Sequence, residues 1–105
     1  MSKGNIKTMR VMLDKGAYLP TRAHEADAGF DLYAPDGGIL PAHQTAEIDT
    51  GVHMEIPAGY AGLVMARSSL HIRYGITTTG VIDSGYTGPI RVKLSSQQNT
   101  AYVWA

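Results

Sequence analysis

Apolar and polar residues alternate with a period of two along three stretches of the chain. Met9, Val11 and Leu13 alternate with Thr8, Arg10 and Met12; Val52, Met54 and Ile56 with His53 and Glu55; Ile90, Val92 and Leu94 with Arg91 and Lys93. Successive side chains of an extended strand point to opposite faces, so the pattern predicts half-buried strands at 8–13, 51–56 and 90–94. Turn signals separate them at short intervals: PDGG at 35–38, DTG at 49–51 and IPAGYAG at 56–62. Strands this short and this regularly spaced predict an all-β barrel or sandwich. The segment RSSLHIRYG, 67–75, is the one that could make a helical turn, and it is too short for more.

Composition narrows this picture. A chain of 105 residues predicts one domain, 1–105, with enough length to bury roughly two thirds of its unfolded surface around one modest core. Nine basic and nine acidic residues cancel, so no global field favours nucleic acid or an anionic membrane, and any phosphate binding must be local. With no cysteine there is no disulfide framework and no thiolate metal site. The start, MSKGNIKTMRVMLDKG, holds no apolar run of signal-peptide or membrane-span length, which predicts a cytoplasmic protein. His24, His43, His53 and His71 are scattered without metal-ligand spacing and read as surface or packing residues.

Candidate chemistry gathers in three islands: DAGFDLYAP at 27–35, ARSSLHIRYGI at 66–76 and GVIDSGYTGPI at 80–90. Each joins small residues, which let a ligand approach the backbone, to groups suited to phosphate, metal or water. Each also has a plain structural reading. Asp31 can be a turn or strand-end acid. Arg67, Ser68 and Ser69 can cap a short helix. Asp83 can accept backbone hydrogen bonds in a turn, with Tyr86 a core aromatic.

In this order, the three islands resemble the first three motifs of the trimeric dUTP diphosphatases (dUTPases), over roughly residues 8–94. DAGFDLYA and GVIDSGYTG fit closely, and ARSSL fits apart from Ala66, where proline is usual. The related dCTP deaminases share an RSSL-like segment but follow it with a proline-glycine-tryptophan turn and a catalytic glutamate. Here the turn is SGYTG and the next strand, IRVKL, has no glutamate.

The resemblance implies a dUTPase-like β-barrel/β-clip of short strands and hydrolysis of dUTP to dUMP and pyrophosphate by a homotrimer whose active sites form between subunits. It assigns the general base to Asp83, with Val81 and Ile82 expected to anchor it from the core and Gly80 and Gly85 to leave room for ligand and water. Arg67, Ser68 and Ser69 would contact phosphate, and the substrate-binding set also includes Gly80, Ile82 and Tyr86. The Tyr86 ring would lie against the deoxyribose and exclude a 2′-hydroxyl. Asp31 would hold waters of a Mg²⁺ on the triphosphate. An intersubunit ion pair is the competing role for Arg67. Uracil would be read by the backbone of a hairpin leading into GVID, shorter here than in many relatives because only Thr77, Thr78 and Thr79 separate Ile76 from Gly80.

Family members continue into a GDRIAQ-like strand and a glycine-rich, phosphate-covering tail, whereas this sequence ends SSQQNTAYVWA. The expectation is therefore a C-terminally truncated domain with much reduced turnover and a weakened trimer, in which Tyr102, Val103 and Trp104 begin a further strand. Two alternatives stand beside it: a catalytically weak nucleotide-binding or regulatory module, and a β-rich fragment with vestigial motifs.

Overall fold

A computed structural model describes residues 9–22 and 29–104, except for the side chain of Thr79. The first two residues of the DAGFDLYAP island, Asp27 and Ala28, lie outside the described residues, as do Thr8 and His24.

The alternation at 90–94 becomes strand β8 (Arg91–Ser96), with Leu94 and Ser96 buried, Val92 half-buried, and Arg91 and Lys93 in solvent. β8 is the middle of a three-stranded antiparallel sheet between β3 (Thr45–Asp49) and β6 (Ile76–Thr77). Three antiparallel ribbons complete the described structure. β1 (Val11–Leu13) pairs with β4 (Val52–Met54), β2 (Gly38–Leu40) with β9 (Tyr102–Trp104), and β5 (Gly62–Met65) with β7 (Thr79–Ile82). The fold is all-β, with one short helix among the described residues.

Leu40, Ile76 and Leu94 form the core cluster. Full burial of side chains this size contributes roughly 1.5–3 kcal/mol each before the entropy of ordering is set against it. Helix α1 (Ser68–Tyr74), nearly two turns long, lays Leu70 and Tyr74, four residues apart, on this cluster, where the Tyr74 ring meets Tyr102 at 4.7 Å between centroids. The helix stops at Gly75, whose left-handed φ of 59° lets its N–H return to the His71 carbonyl at 3.0 Å.

Tyr102–Trp104 do form a strand, and its partner is the distant β2. Gly38 sits opposite Trp104, and the indole occupies the space a Cβ at 38 would need, while Trp104 Nε1 donates to the Asp36 carbonyl at 3.0 Å. A second knot ties the β3–β4 connection to the residue that precedes β8. Buried Thr50 donates its hydroxyl to the Ile90 carbonyl at 2.7 Å and accepts from the Val52 N–H at 3.2 Å, while the Ile90 N–H reaches the Val52 carbonyl at 2.8 Å.

Three expectations need correction. Val81 does not anchor its strand in the core, since it is 65 % exposed. Adjacent residues of a strand face opposite sides, so only one of Val81 and Ile82 can point inward. Ile82 does, against Gly62 and Ile56, while Val81 pairs across the ribbon with exposed Leu63. Second, residues 76–80 form no hairpin: β6 pairs with β8 and β7 with β5, and the chain crosses between the two sheets at buried Thr78. Third, of the strand expected over 8–13, the described residues form Val11–Leu13, with Met9 and Leu13 exposed, since among the described residues β1 pairs only with β4.

Candidate functional site

Strand β7 ends at inward-facing Ile82, and Asp83 opens a tight turn closed by the Tyr86 N–H on the Asp83 carbonyl at 3.0 Å. A side chain at Gly85 would meet nothing within 4 Å, so the outer surface of the turn is open. Tyr86 folds back over Gly88 and donates its hydroxyl to the Pro89 carbonyl at 2.7 Å. The turn is therefore held at both ends, by β7 before Asp83 and by the Thr50–Ile90–Val52 knot after it.

Gly80, Ile82, Asp83 and Tyr86 line one cavity of about 170 Å³ with Val64, Val81, Ile90 and Arg91. Four of the residues singled out from the sequence thus share one site. Arg91 was not among them, although it brings a cation to the wall that carries Asp83. Its guanidinium holds Glu47 at 3.1 Å and Asp49 at 3.7 Å. The Glu47 hydrogen bond first, then the charges of Asp49 and Glu47, raise its pKa above the ordinary arginine value, so it stays a fixed positive charge. In the sequence it reads as an outward residue of an alternating strand, and its place just after Pro89 and Ile90 is the only signal.

Asp31 and Arg67 lie elsewhere. The Asp31 backbone is pinned by a bridge to Thr21, its N–H on the Thr21 carbonyl at 2.7 Å. Arg67 occupies the position before α1 and makes no side-chain cap, so the capping reading of the RSS triplet fails. Instead Arg67 Nε stands 4.0 Å from Asp31 Oδ1, at the limit of an ion pair, with the arginine 71 % exposed. A pair this open and long is worth about 0–1 kcal/mol and yields readily to a better anion. Both residues line a mostly apolar cavity of about 260 Å³ between the β3–β8 face and the β5 ribbon. Ser68 and Ser69 are exposed on the first turn of α1.

One chain therefore carries two separate cavities, one lined by Asp31 and Arg67 and one by Asp83 and Tyr86, whose walls share Val64. Among the described residues, no three His, Asp or Glu side chains converge as a metal-ligand group. Asp31 offers one carboxylate beside a guanidinium. That donor set fits a Mg²⁺ carried in on a polyphosphate, which keeps most of its waters, and does not fit a resident all-protein cage.

A family model described as dUTPase matches residues 15–103. The chain belongs to the dUTPase family. It is 47 % identical over 87 residues to a deoxyuridine 5′-triphosphate nucleotidohydrolase of Mycobacterium marinum, and 44 % identical over 87 residues to that of Mycobacterium leprae. These alignments take in 80 % of this chain and 56 % of each relative, so the chain spans about half the length of the curated dUTPases it matches. Among solved structures it is similar to the dUTPase of Staphylococcus bacteriophage 80alpha, with a TM-score of 0.82 and 34 % identity over 89 % of this chain and 61 % of that one. A variant of the dUTPase of phage phi11 of S. aureus, described as coordinating a structural Mg(II) ion, gives 0.80 and 34 % identity over 86 % of this chain and 60 % of that one.

Proposed function

We propose that this dUTPase-family chain hydrolyses dUTP to dUMP and pyrophosphate in the cytoplasm, as a homotrimer. The observation that carries the reading is the Asp83 turn: a solvent-facing carboxylate held at a strand end, a tyrosine pinned beside it and a cation on the same wall. A water between Asp83 and the α-phosphorus gives its proton to the carboxylate as its oxygen bonds to phosphorus. The bond from the α-phosphorus to the bridging oxygen breaks, and pyrophosphate leaves with that oxygen. Asp31 would hold waters of a Mg²⁺ carried on the triphosphate, which would supply charge neutralisation. Arg67, Ser68 and Ser69 bind phosphate oxygens, Arg67 exchanging its loose contact with Asp31 for the polyanion.

Tyr86 rejects ribonucleotides by occupying the space of a 2′-hydroxyl, and Gly80 leaves the backbone accessible beside it. With no hairpin at 76–80, the backbone edge of β7 that does not face β5 is the candidate reader of uracil.

Assembly joins the two cavities as half-sites, placing the Arg67 side of one chain against the Asp83 side of the next. It is supported by their separation within one chain and by the apolar face of the β5–β7 ribbon, where Leu63 and Met65 are each 72 % exposed. The test is pyrophosphate release with Mg²⁺ from dUTP, UTP, dCTP and dTTP in parallel. Turnover confined to dUTP is expected; equal turnover of UTP, or none of dUTP, contradicts the reading.

A second reading draws on the phage neighbours, described as controlling transfer of virulence genes by a proto-oncogenic G protein-like mechanism. In it, the same site binds dUTP as a signal to a protein partner. Tight dUTP binding without pyrophosphate release would select it.

A further inference from the structure

Residues 84–89 carry Tyr86, and among the described residues one hydrogen bond ties them to another element. His53 Nδ1 lies 2.9 Å from the Thr87 carbonyl oxygen, whereas the bonds of Tyr86 to Asp83 and Pro89 are local. His53 stands in the middle of β4 with its side chain 18 % exposed, and on its other side Nε2 lies 2.9 Å from Asp14 Oδ1, just past β1. A carbonyl oxygen and an ionised carboxylate can only accept, so both ring nitrogens must donate, which imidazolium alone can do. Either neutral tautomer turns a lone pair toward an oxygen and loses one of the two contacts.

We infer that His53 is a positioning residue whose imidazolium clamps the Asp83–Tyr86 turn to the end of β1, holding the tyrosine in place while the ring is doubly protonated. The inference rests on the reading of Tyr86 as the surface for the deoxyribose. His53 itself does not reach the substrate site and acts through the Thr87 backbone. The titratable groups around it are Asp14 past β1, Asp49 at the end of β3, and Arg10, Glu55 and Tyr86, which share its groove. The Thr87 carbonyl first, then Asp14, raise the His53 pKa above its ordinary 6.5, which extends the clamped state to higher pH.

The test has two arms, each comparing the wild-type chain with His53→Gln, whose amide can still donate to Thr87 but does not titrate. In NMR titrations without ligand, the His53 ring should stay imidazolium above pH 6.5. The Thr87 and Gly88 amides should shift with it in the wild type but not in His53→Gln, and Asp14→Asn should move the transition to lower pH. In calorimetry with the non-hydrolysable analogue dUpNHpp, the wild-type advantage in affinity should fall on the order of fivefold as pH rises through that transition. Titration of the ligand's own phosphate cancels in the ratio.

A ring that titrates at or below 6.5, or amides that titrate equally in His53→Gln, overturn the clamp. A clamp present in the amides with a pH-independent affinity ratio overturns its positioning role. A wild type that binds no dUpNHpp contradicts the nucleotide reading, and the amide titration still decides the clamp.

Discussion

Replacing Gly88 with alanine separates the position of Tyr86 from its presence. The Gly88 backbone has no positive φ, so alanine meets no conformational penalty there, and the whole effect comes from the new methyl group. An ideal Cβ would stand 2.6 Å from Tyr86 Oη, 2.8 Å from Cζ and 3.2 Å from Cε1. Carbon contacts settle near 3.5–4.0 Å, so the ring must withdraw by roughly 1 Å. That movement takes Oη away from the Pro89 carbonyl, now at 2.7 Å. The bond is partly exposed, so its loss should cost about 1 kcal/mol and lower the melting temperature by about 4–8 °C. The effect on sugar choice should be larger, because a displacement of this size near reacting groups can cost on the order of 100-fold.

The assay is kcat/KM for dUTP and for UTP, with Tyr86→Phe as the control that removes the hydroxyl bond and leaves the ring in place. Gly88→Ala should lower the dUTP-to-UTP preference at least about tenfold, while Tyr86→Phe keeps most of it. A lowered melting temperature with an unchanged preference refutes the role of the ring in discrimination; no change in either shows that Gly88 does not set the ring position.

Thr50→Val should cost about 1–3 kcal/mol in urea titrations without changing the slope, because it removes the hydroxyl that serves both Ile90 and Val52 inside the buried knot; a loss under 0.5 kcal/mol would show that the knot is redundant. The raised pKa of His53 makes its contribution to stability fullest below the unfolded value near 6.5, and that contribution is lost as pH rises through the higher folded value. Melting temperature should therefore decline across that window in the wild type and stay flatter in His53→Gln. Leu63→Asp, on the exposed face of the β5–β7 ribbon, should leave monomer stability within about 0.5 kcal/mol yet lower the trimer fraction seen by light scattering; an unaffected trimer would move the interface elsewhere.

Much of this architecture was legible because period two marks which residues share a face. Val52 and Leu94 are buried where alternation puts them, with His53 and Lys93 on the other side. The RSSLHIRYG segment, expected to hold a single turn, became the nearly two-turn α1, ended by the glycine the sequence displays. Periodicity does not name a partner strand, however, and the pairing of 38–40 with 102–104 joins segments separated by most of the domain. Nor does it say which of two adjacent apolar residues faces in, which is why Val81 was misplaced and Ile82 was not.

At the site, Gly80, Ile82, Asp83 and Tyr86 came together because they are neighbours in sequence as well as in space. Arg91 was not singled out, and His53 read only as a surface or packing residue, because each looks like the solvent-facing member of a strand. Their roles come from the partners that the fold brings to them: Glu47 and Asp49 in one case, Asp14 and Thr87 in the other.

The most direct measurement is pyrophosphate release from dUTP with Mg²⁺ by the wild type and by Asp83→Asn, with dUpNHpp affinity measured on both. The wild type should release pyrophosphate, and the variant should lose at least about 100-fold in kcat while binding the analogue with affinity within about threefold of the wild type. An Asp83→Asn protein that turns over dUTP at the wild-type rate contradicts the account at its centre.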